Sequence, residues 1–179
     1  MITVLEDDIV RLRALEPEDL EVLYLWENDS QLWDYGSTLA PYSKFALREY
    51  ISESRQDIFQ TRQLRLMISL KSEQKAIGTI DLYEFDPMNL RAGVGILLEE
   101  KYRGKGFGVL ALQLIQQYAF DFLFLKQLYA FIPKENHASM KLFSSCGYVQ
   151  TGTLYAWMKN QDSFQDVFFV QLINKKHHV

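Results

Sequence analysis

The sequence predicts an α+β (mixed α/β) fold, with helices packed on a central, mostly antiparallel sheet of about seven strands. Seven short segments have the period-2 alternation or the short apolar runs of strands, and four segments repeat apolar residues at the helical period. The longest helical segment lies between the fourth and fifth strands, and a crossover of this kind makes two neighbouring strands parallel. We therefore expect one parallel pair in an otherwise antiparallel sheet.

Local signals place the elements in order along the chain. The predicted strands are residues 9–13, 63–70, 76–85, 91–98, 128–132, 149–158 and 164–172. The predicted helices follow Pro17, the N-cap Ser43, Gly106 and Asn136, and they end near residues 28, 51 and 122 and at a Gly147 C-cap. Gly93 and Gly95 interrupt the fourth strand, which predicts either a bulge or a close backbone approach at that point.

Composition and charge limit the function classes. The 179 residues are 48% hydrophobic and 23% charged, as expected for a single globular domain over residues 1–179. A net charge of -4 disfavours a nucleic-acid binder or a polybasic membrane-surface protein. The one cysteine, Cys146, rules out an internal disulfide, and neither a cationic leader nor a spanning apolar run is present. We expect a cytoplasmic protein whose partners are small molecules, with no nucleic acid and no membrane.

A glycine-rich loop joins the fourth strand to the long helix. Its residues are Arg103, Gly104, Lys105, Gly106, Phe107 and Gly108, followed by Val109. Glycines at alternate positions let backbone N–H groups turn toward an anion at the positive end of the helix, which predicts a phosphate-bearing ligand. A P-loop needs glycine where Glu99 stands and Ser or Thr where Gly106 stands, so a nucleoside triphosphate site is excluded. A dinucleotide loop needs a third glycine at Val109 and a mostly parallel sheet.

The loop fits a third pattern, Arg/Gln-x-x-Gly-x-Gly/Ala after an antiparallel strand. The residues expected downstream are also present: Pro133, Asn136, Ser139, Leu142, Phe143, Gly147 and Tyr148. With these motifs the chain resembles the GCN5-related N-acetyltransferases (GNAT), nearest the ribosomal-protein N-terminal and spermidine N-acetyltransferase branch. The resemblance implies a parallel, V-shaped splay between the fourth and fifth strands, helices on both sheet faces, acetyl-CoA as donor, an amine as acceptor and no metal. It also implies a homodimer or larger homo-oligomer through the late strands.

The resemblance also assigns residues to the CoA site. Main-chain groups of Ile96, Leu97 and Leu98 would bind the pantetheine arm, and residues 103–109 would hold the pyrophosphate. Arg103 and Lys105 either add charge to the phosphates or are simply solvated. Asn136 would bond the pantetheine amide or cap its own helix. Ser139 and Lys141 would reach CoA on one helix face, although Lys141 is equally typical of a surface.

The acceptor amine has to lose a proton before it attacks the thioester. At pH 7 this costs about 4.6 kcal/mol for an alkyl amine of pKa about 10.4, but only about 1 kcal/mol for an α-amine. The resemblance places the base at Glu84, with Asp81 and Asp86 as weaker candidates, and a solvated strand-end glutamate is the alternative. Phe143 stands where the resembled enzymes often have a tyrosine that protonates the thiolate. That role passes to water, to Tyr148 as our candidate, to Ser144 or another nearby hydroxyl, or is not needed.

The acceptor is the least constrained part of the prediction. Where the spermidine enzymes have acids, this chain has Gly93 and the pair Ala156 and Trp157, which disfavours a polycation. An aromatic wall with acids nearby would replace them, formed by Trp26, Trp33, Tyr35, Tyr155 and Trp157 with Glu27, Asp29 and Asp34. We expect transfer to a small primary amine of polyamine, amino-sugar or amino-acid type. A protein N-terminus as acceptor, and an acyl-CoA-binding protein with little catalysis, are the alternatives.

Overall fold

The computed structural model describes residues 5–29, 40–160 and 162–176. The strands are β1 (Val10–Arg13), β2 (Leu64–Leu70), β3 (Lys75–Asp86), β4 (Arg91–Leu98), β5 (Gln127–Pro133), β6 (Val149–Asn160) and β7 (Ser163–Ile173). The helices are α1 (Leu20–Glu27), α2 (Lys44–Glu53), α3 (Ile58–Thr61), α4 (Phe107–Gln117) and α5 (His137–Ser145). None of the helices in these ranges is long and apolar enough to cross a membrane.

All seven strands belong to one sheet with the order β1-β2-β3-β4-β5-β7-β6. Neighbouring strands are antiparallel except β4 and β5, which are parallel. The α4 crossover explains this exception, because the chain has to return to the same end of the sheet before β5 starts. The predicted fold class is confirmed.

Side chains on the two sheet faces form separate cores. On one face Ile80 and Leu82 of β3 are in a cluster with Leu112 and Ile115 of α4, and all four are fully buried. On the other face the cluster contains Met67 of β2 together with residues of α1 and α2. The period-2 alternation of the strands places apolar residues on both faces, so helices cover the sheet from both sides as expected.

Most predicted helix boundaries are confirmed by their caps. The Ser43 hydroxyl accepts the Ala46 N–H at 3.1 Å, and Gly147, at φ 90°, follows the end of α5. The helix predicted to reach residue 122 is partly wrong, because α4 ends at Gln117 and a π-helical turn, Tyr118–Phe122, follows. The short helix α3, capped by the Asp57 carboxylate, was not predicted.

Candidate active site

Strands β4 and β5 separate after only three residue pairs. Their pairing starts at Arg91 and Gln127 and stops at Gly93 and Tyr129. Beyond that point β4 pairs only with β3, as far as Leu98, and β5 pairs only with β7. The inner edges of the two strands form the predicted V-shaped opening, here called the splay. Ile96, Leu97 and Leu98 lie on its β4 edge, where main-chain groups do not pair with β5.

The bulge near the splay lies in β3 and not in β4, where the glycines had suggested it. Tyr83 pairs with Gly93 and Asp86 with Arg91, so two residues of β3 face one residue of β4. Glu84 at this bulge has φ 49°, in the left-handed region. Gly93 and Gly95 instead belong to a regular register, and Gly93 meets the other expectation, a close approach. Its missing Cβ would lie 2.3 Å from the Tyr83 ring.

The glycine-rich loop has the backbone that its sequence predicted. Gly104 and Gly106 have φ 71° and 87°, and no atom lies within 4 Å of where a Cβ would be. Gly106 is the N-cap of α4, so N–H groups of the first turn are directed toward the loop. Gly108 is different: it is buried, and a Cβ there would lie 3.2 Å from Leu142 of α5. Two of the three glycines therefore serve the loop conformation, and the third allows helix packing.

The side chains of the loop have contacts of their own. Arg103 Nε donates to the Leu98 carbonyl at 2.9 Å, which ties the loop to the end of β4. Lys105 is exposed, with its ammonium 5.8 Å from the centre of the Tyr102 ring. Phe107 packs edge-on against the same ring, at 6.3 Å between centroids, and Val109 is half-buried in α4. Both cations lie at the loop surface, beside the α4 N-terminus.

The predicted residues on α5 do not act as one group. Asn136 is the N-cap, and its Oδ1 accepts the Ser139 N–H at 3.1 Å. Its amide nitrogen is not used by this cap. Ser139 is half-buried and Lys141 is exposed. They are two positions apart in a helix, which separates them by about 200° around the axis, so the prediction that they share a face is wrong.

The β3 bulge brings Glu84 and Tyr129 together. Tyr129 is the last β5 residue paired with β4, and its hydroxyl donates to Glu84 Oε2 at 2.9 Å. Tyr83 and Glu84 are successive residues, and in a regular strand their side chains would point to opposite faces of the sheet. Both nevertheless contact Tyr129, because the Tyr83 ring packs edge-on against it with 6.1 Å between centroids. The bulge thus presents Tyr83 and Glu84 on the same side. Burial raises the pKa of Tyr129, and the hydrogen bond to Glu84 raises it further.

The two weaker base candidates are already engaged. Both carboxylate oxygens of Asp81 accept hydrogen bonds from Arg65, at 2.7 and 2.8 Å, and the third nitrogen of that guanidinium donates to Glu27. Asp86 accepts from the Asn89 side chain at 2.7 Å, and this bond and backbone N–H groups lower the pKa of Asp86. Glu84 is exposed and sits at the apex of the splay, so it is the carboxylate placed to reach a substrate.

Tyr148, the predicted proton donor, lies in the core. It is 4% exposed, packs edge-on against Phe143 at 4.9 Å, and its hydroxyl has no hydrogen-bond partner among the described residues. Burial raises the pKa of Tyr148, so the hydroxyl is protonated at neutral pH. Its role toward the thiolate stays a prediction. Cys146 is half-buried, and burial raises the pKa of its thiol, as expected for a packing residue.

The aromatic wall predicted for the acceptor is not assembled as expected. Trp26 is 8% exposed and belongs to the core beneath α1 and α2. Tyr155 and Trp157 are 79% and 61% exposed, on an irregular stretch of β6. Trp33, Asp34 and Tyr35 lie outside the described residues. Glu27 faces Arg65, and Asp29 follows the end of α1.

A different aromatic group lies beside Glu84, and sequence reasoning missed it. Its members are Tyr83, Tyr129, Phe131 and Phe169, here called the aromatic floor. Every neighbouring pair of rings is 5.2 to 6.1 Å apart. The period-2 spacing of Tyr129 and Phe131 was a usable signal, because such residues share a sheet face.

Among the described residues no three His, Cys, Asp or Glu side chains are grouped as a metal site would require.

Comparison with known proteins gives a consistent result. The chain is 28% identical over 167 residues to the uncharacterized N-acetyltransferase p20 of Bacillus licheniformis, covering 93% of each. It is 25% identical over 166 residues to the spermidine N(1)-acetyltransferase of Vibrio cholerae, covering 93% and 94%. The crystal structure of the latter in complex with CoA and spermine superposes with a TM-score of 0.82 at 24% identity, covering 93% and 96%. Its dodecameric structure gives 0.79 at 25%, covering 95% and 96%.

The family assignment rests on a match that covers most of the chain. The family model described as an acetyltransferase (GNAT) domain matches residues 10–149, from β1 to the start of β6. The matched segment includes the splay, the glycine-rich loop and the β3 bulge. This match covers more than half of the chain, and the described residues form a seven-stranded sheet with one parallel pair. The chain therefore belongs to the GNAT family of N-acetyltransferases, whose acetyl donor is acetyl-CoA.

Proposed function

We propose that this protein acts in the cytoplasm and transfers the acetyl group of acetyl-CoA to the primary amine of a small molecule, directly within a ternary complex. The observation that carries the proposal is the position of Glu84. It is an exposed carboxylate, held by the Tyr129 hydroxyl at the apex of the splay. A base at this point is next to the opening in which family members hold the thioester.

The donor is held mainly by backbone. The main-chain groups of Ile96, Leu97 and Leu98 that bond neither β3 nor Arg103 pair with the pantetheine arm as a further strand would. The pyrophosphate lies on residues 103–109, where the glycines leave N–H groups uncovered at the α4 N-terminus. The amide nitrogen of Asn136, which its helix cap does not use, donates to a pantetheine carbonyl. Arg103 and Lys105 add positive charge at the rim.

Transfer begins when Glu84 takes a proton from the bound ammonium, directly or through one water. The amine nitrogen then attacks the thioester carbon, and the resulting oxyanion is stabilised by N–H groups on the open β4 edge. The C–S bond breaks as the carbonyl re-forms and the nitrogen releases its second proton to water, which gives the neutral N-acetyl product. The thiolate takes a proton from water or from a tyrosine hydroxyl, for which Tyr148 is our candidate.

Two other acceptors or roles are compatible with the same donor site. The named relatives include spermidine N(1)-acetyltransferases of Vibrio cholerae and Escherichia coli, which favours a small amine over a peptide. A protein N-terminus remains the first alternative, because an α-amine needs less help from a base. A weakly catalytic acyl-CoA-binding protein is the second, because Phe143 cannot donate a proton.

A donor titration followed by an acceptor panel tests the proposal. Calorimetry with acetyl-CoA should show binding. An absence of binding would contradict the proposed activity and both alternatives. Release of free CoA thiol is then measured with polyamines, amino sugars, amino acids and peptides with free N-termini. A small amine should give the highest kcat/KM. Peptides above all small amines would select the N-terminal alternative, and binding without turnover would select the binding protein.

Glu84→Gln tests the base, with Asp86→Asn as the matched control on the same strand. Loss of a general base should lower kcat/KM by about 10² to 10⁴-fold at neutral pH, and the deficit should shrink as pH rises and the free amine accumulates. Asp86→Asn should leave the pH profile in place, because the Asp86 carboxylate is engaged by Asn89 and Arg91. An unchanged pH-rate profile in Glu84→Gln would show that the base is elsewhere.

We also propose a homodimer or larger homo-oligomer. A dodecameric structure is known for the Vibrio cholerae relative. In this chain β6 is one of the two edge strands of the described sheet, and large apolar side chains of the last two strands are exposed, among them Val149 at 63%, Trp157 at 61% and Phe164 at 65%. Light scattering should give a mass above that of one chain, and Trp157→Glu should lower it. A monomer at micromolar concentration would contradict this.

A further inference from the structure

The Tyr83 ring covers the strand backbone at the apex of the splay. A Cβ at Gly93 would lie 2.3, 2.4 and 2.8 Å from three carbons of this ring, and a Cβ at Gly95 would lie 3.9 Å from a fourth. Glycine at position 93 is thus what allows the ring to lie against β4 where β4 and β5 separate. The surface next to Glu84 is therefore one face of a phenol ring.

The aromatic floor continues from this ring across the splay. Gly93 pairs with Tyr129, and Phe131 pairs with Phe169, so the register places these side chains on one sheet face. Phe131 is 39% exposed. Burial raises the pKa of the Tyr83 hydroxyl to about 12, with the Glu84 carboxylate acting in the same direction, so the hydroxyl adds no charge at neutral pH. A substrate beside Glu84 meets flat, uncharged surface.

The fixed charges on this face form one ion-pair group around Arg65. Arg65 lies on β2 directly opposite Asp81 and bonds both of its carboxylate oxygens. The same guanidinium bonds Glu27 and lies over the Tyr50 ring, at 5.5 Å from its centroid. Arg65 is thus already met by two carboxylates, and Glu84, held by the Tyr129 hydroxyl, is the carboxylate that meets the reactive amine.

We infer that the acceptor is a primary amine carried on a flat, apolar body, of the arylalkylamine class, and that Tyr83 determines this specificity. The inference rests on the proposed acetyl transfer and narrows its acceptor. The aryl group stacks on the aromatic floor, and its short alkyl arm carries the amine to Glu84. A side chain at position 93, acidic or not, is incompatible with this arrangement while Tyr83 is present.

The test compares 2-phenylethylamine, hexylamine and spermidine as acceptors in the thiol-release assay, with acetyl-CoA binding measured by calorimetry on every variant. In the unmodified protein, kcat/KM for 2-phenylethylamine should exceed that for spermidine by about tenfold or more. Tyr83→Leu keeps an apolar side chain but removes the ring, so it should lower the ratio of phenylethylamine to hexylamine. Tyr83→Phe keeps the ring and should keep that ratio. The double variant Tyr83→Ala/Gly93→Glu places a carboxylate in the vacated space and should shift preference toward spermidine.

Each outcome bears on one of the two proposals. Spermidine equal to or better than phenylethylamine in the unmodified protein would overturn the arylalkylamine assignment and leave acetyl transfer standing. The arylalkylamine assignment is also overturned if Tyr83→Leu lowers kcat/KM for all three amines equally while acetyl-CoA affinity is kept, because Tyr83 would then have only a structural role. Acetyl-CoA binding without turnover of any amine would overturn the proposed function, and the acceptor assignment with it.

Discussion

Replacing Arg65 by methionine should cost the protein several times more stability than breaking a surface ion pair. The Arg65 side chain is 19% exposed, and those of Asp81 and Glu27 are 18% and 21% exposed. Arg65→Met keeps the apolar stem but takes two hydrogen bonds from Asp81 and one from Glu27. Removing one partner of a buried pair costs about 3 to 5 kcal/mol, and the residual exposure favours the lower end, about 3 kcal/mol.

A matched control separates burial from charge. Lys44 and Glu21 form a pair at 2.8 Å between α2 and α1, but their side chains are 41% and 70% exposed. Lys44→Met should therefore cost at most about 1 kcal/mol. Urea denaturation at neutral pH measures both variants, with the midpoint compared at constant m-value.

A second substitution tests the cause of the loss. Arg65→Met/Asp81→Leu replaces the buried charges on the sheet by apolar groups, so it should recover more than half of the stability that Arg65→Met loses. If Arg65→Met costs no more than Lys44→Met, the reasoning is refuted. A double variant less stable than Arg65→Met would refute it as well, because the unpaired carboxylate would not be the source of the cost.

Three further outcomes follow from the site geometry. Gly106→Ala puts a Cβ on a residue at φ 87°, where the surrounding space is free but the backbone conformation is strained for alanine. The variant should lower the free energy of unfolding by about 1 to 2 kcal/mol and weaken acetyl-CoA binding in calorimetry. Gly152→Ala is the control, because its Cβ would make only an ordinary contact at 3.8 Å, and it should leave acetyl-CoA binding unchanged. Tyr129→Phe removes the hydroxyl that holds Glu84 and should lower kcat by about tenfold with acetyl-CoA affinity unchanged; an unchanged kcat would contradict the positioning role. Burial raises the pKa of Tyr83 to about 12, so the folded protein keeps this hydroxyl protonated at pH values where the unfolded chain has already ionised it. Its contribution to the free energy of unfolding is therefore complete below pH 10 and is lost as pH rises toward 12. Tyr83→Phe should reduce this loss by about 2 to 3 kcal/mol, measured by urea denaturation across that pH range, and an identical loss in the variant would contradict the burial of the hydroxyl.

Local signals were sufficient for the elements. β4 was predicted with both of its bounds, and the caps at Ser43 and Asn136 are the residue types that helix N-termini favour. The crossover rule gave the parallel pair, and the phosphate motif gave the loop with its two left-handed glycines. These features depend on residues close together in sequence, so a single sequence contains them.

Contacts between distant residues were not accessible in the same way. The hydrogen bond from Tyr129 to Glu84 joins residues 45 positions apart, and nothing in the type of residue 84 signals a left-handed backbone. Gly93 drew attention to the right place, but its reason is a tyrosine on the neighbouring strand. The π-helical turn at 118–122 keeps an apolar periodicity close to that of an α-helix, so the pattern extended the helix too far.

The splay also has a mechanical consequence. Three residue pairs between β4 and β5 are the only ladder that joins the β1–β4 half of the described sheet to the β5–β7 half. A pantetheine arm bound along the open edge would close the gap, so the donor would work as a staple between the halves. Its binding free energy would then be added to the resistance to unfolding, by an amount that grows with the logarithm of donor concentration. Within residues 94–98, the amide hydrogens that do not bond β3 would be the first to report it, exchanging rapidly in the free protein and slowly once the donor is bound.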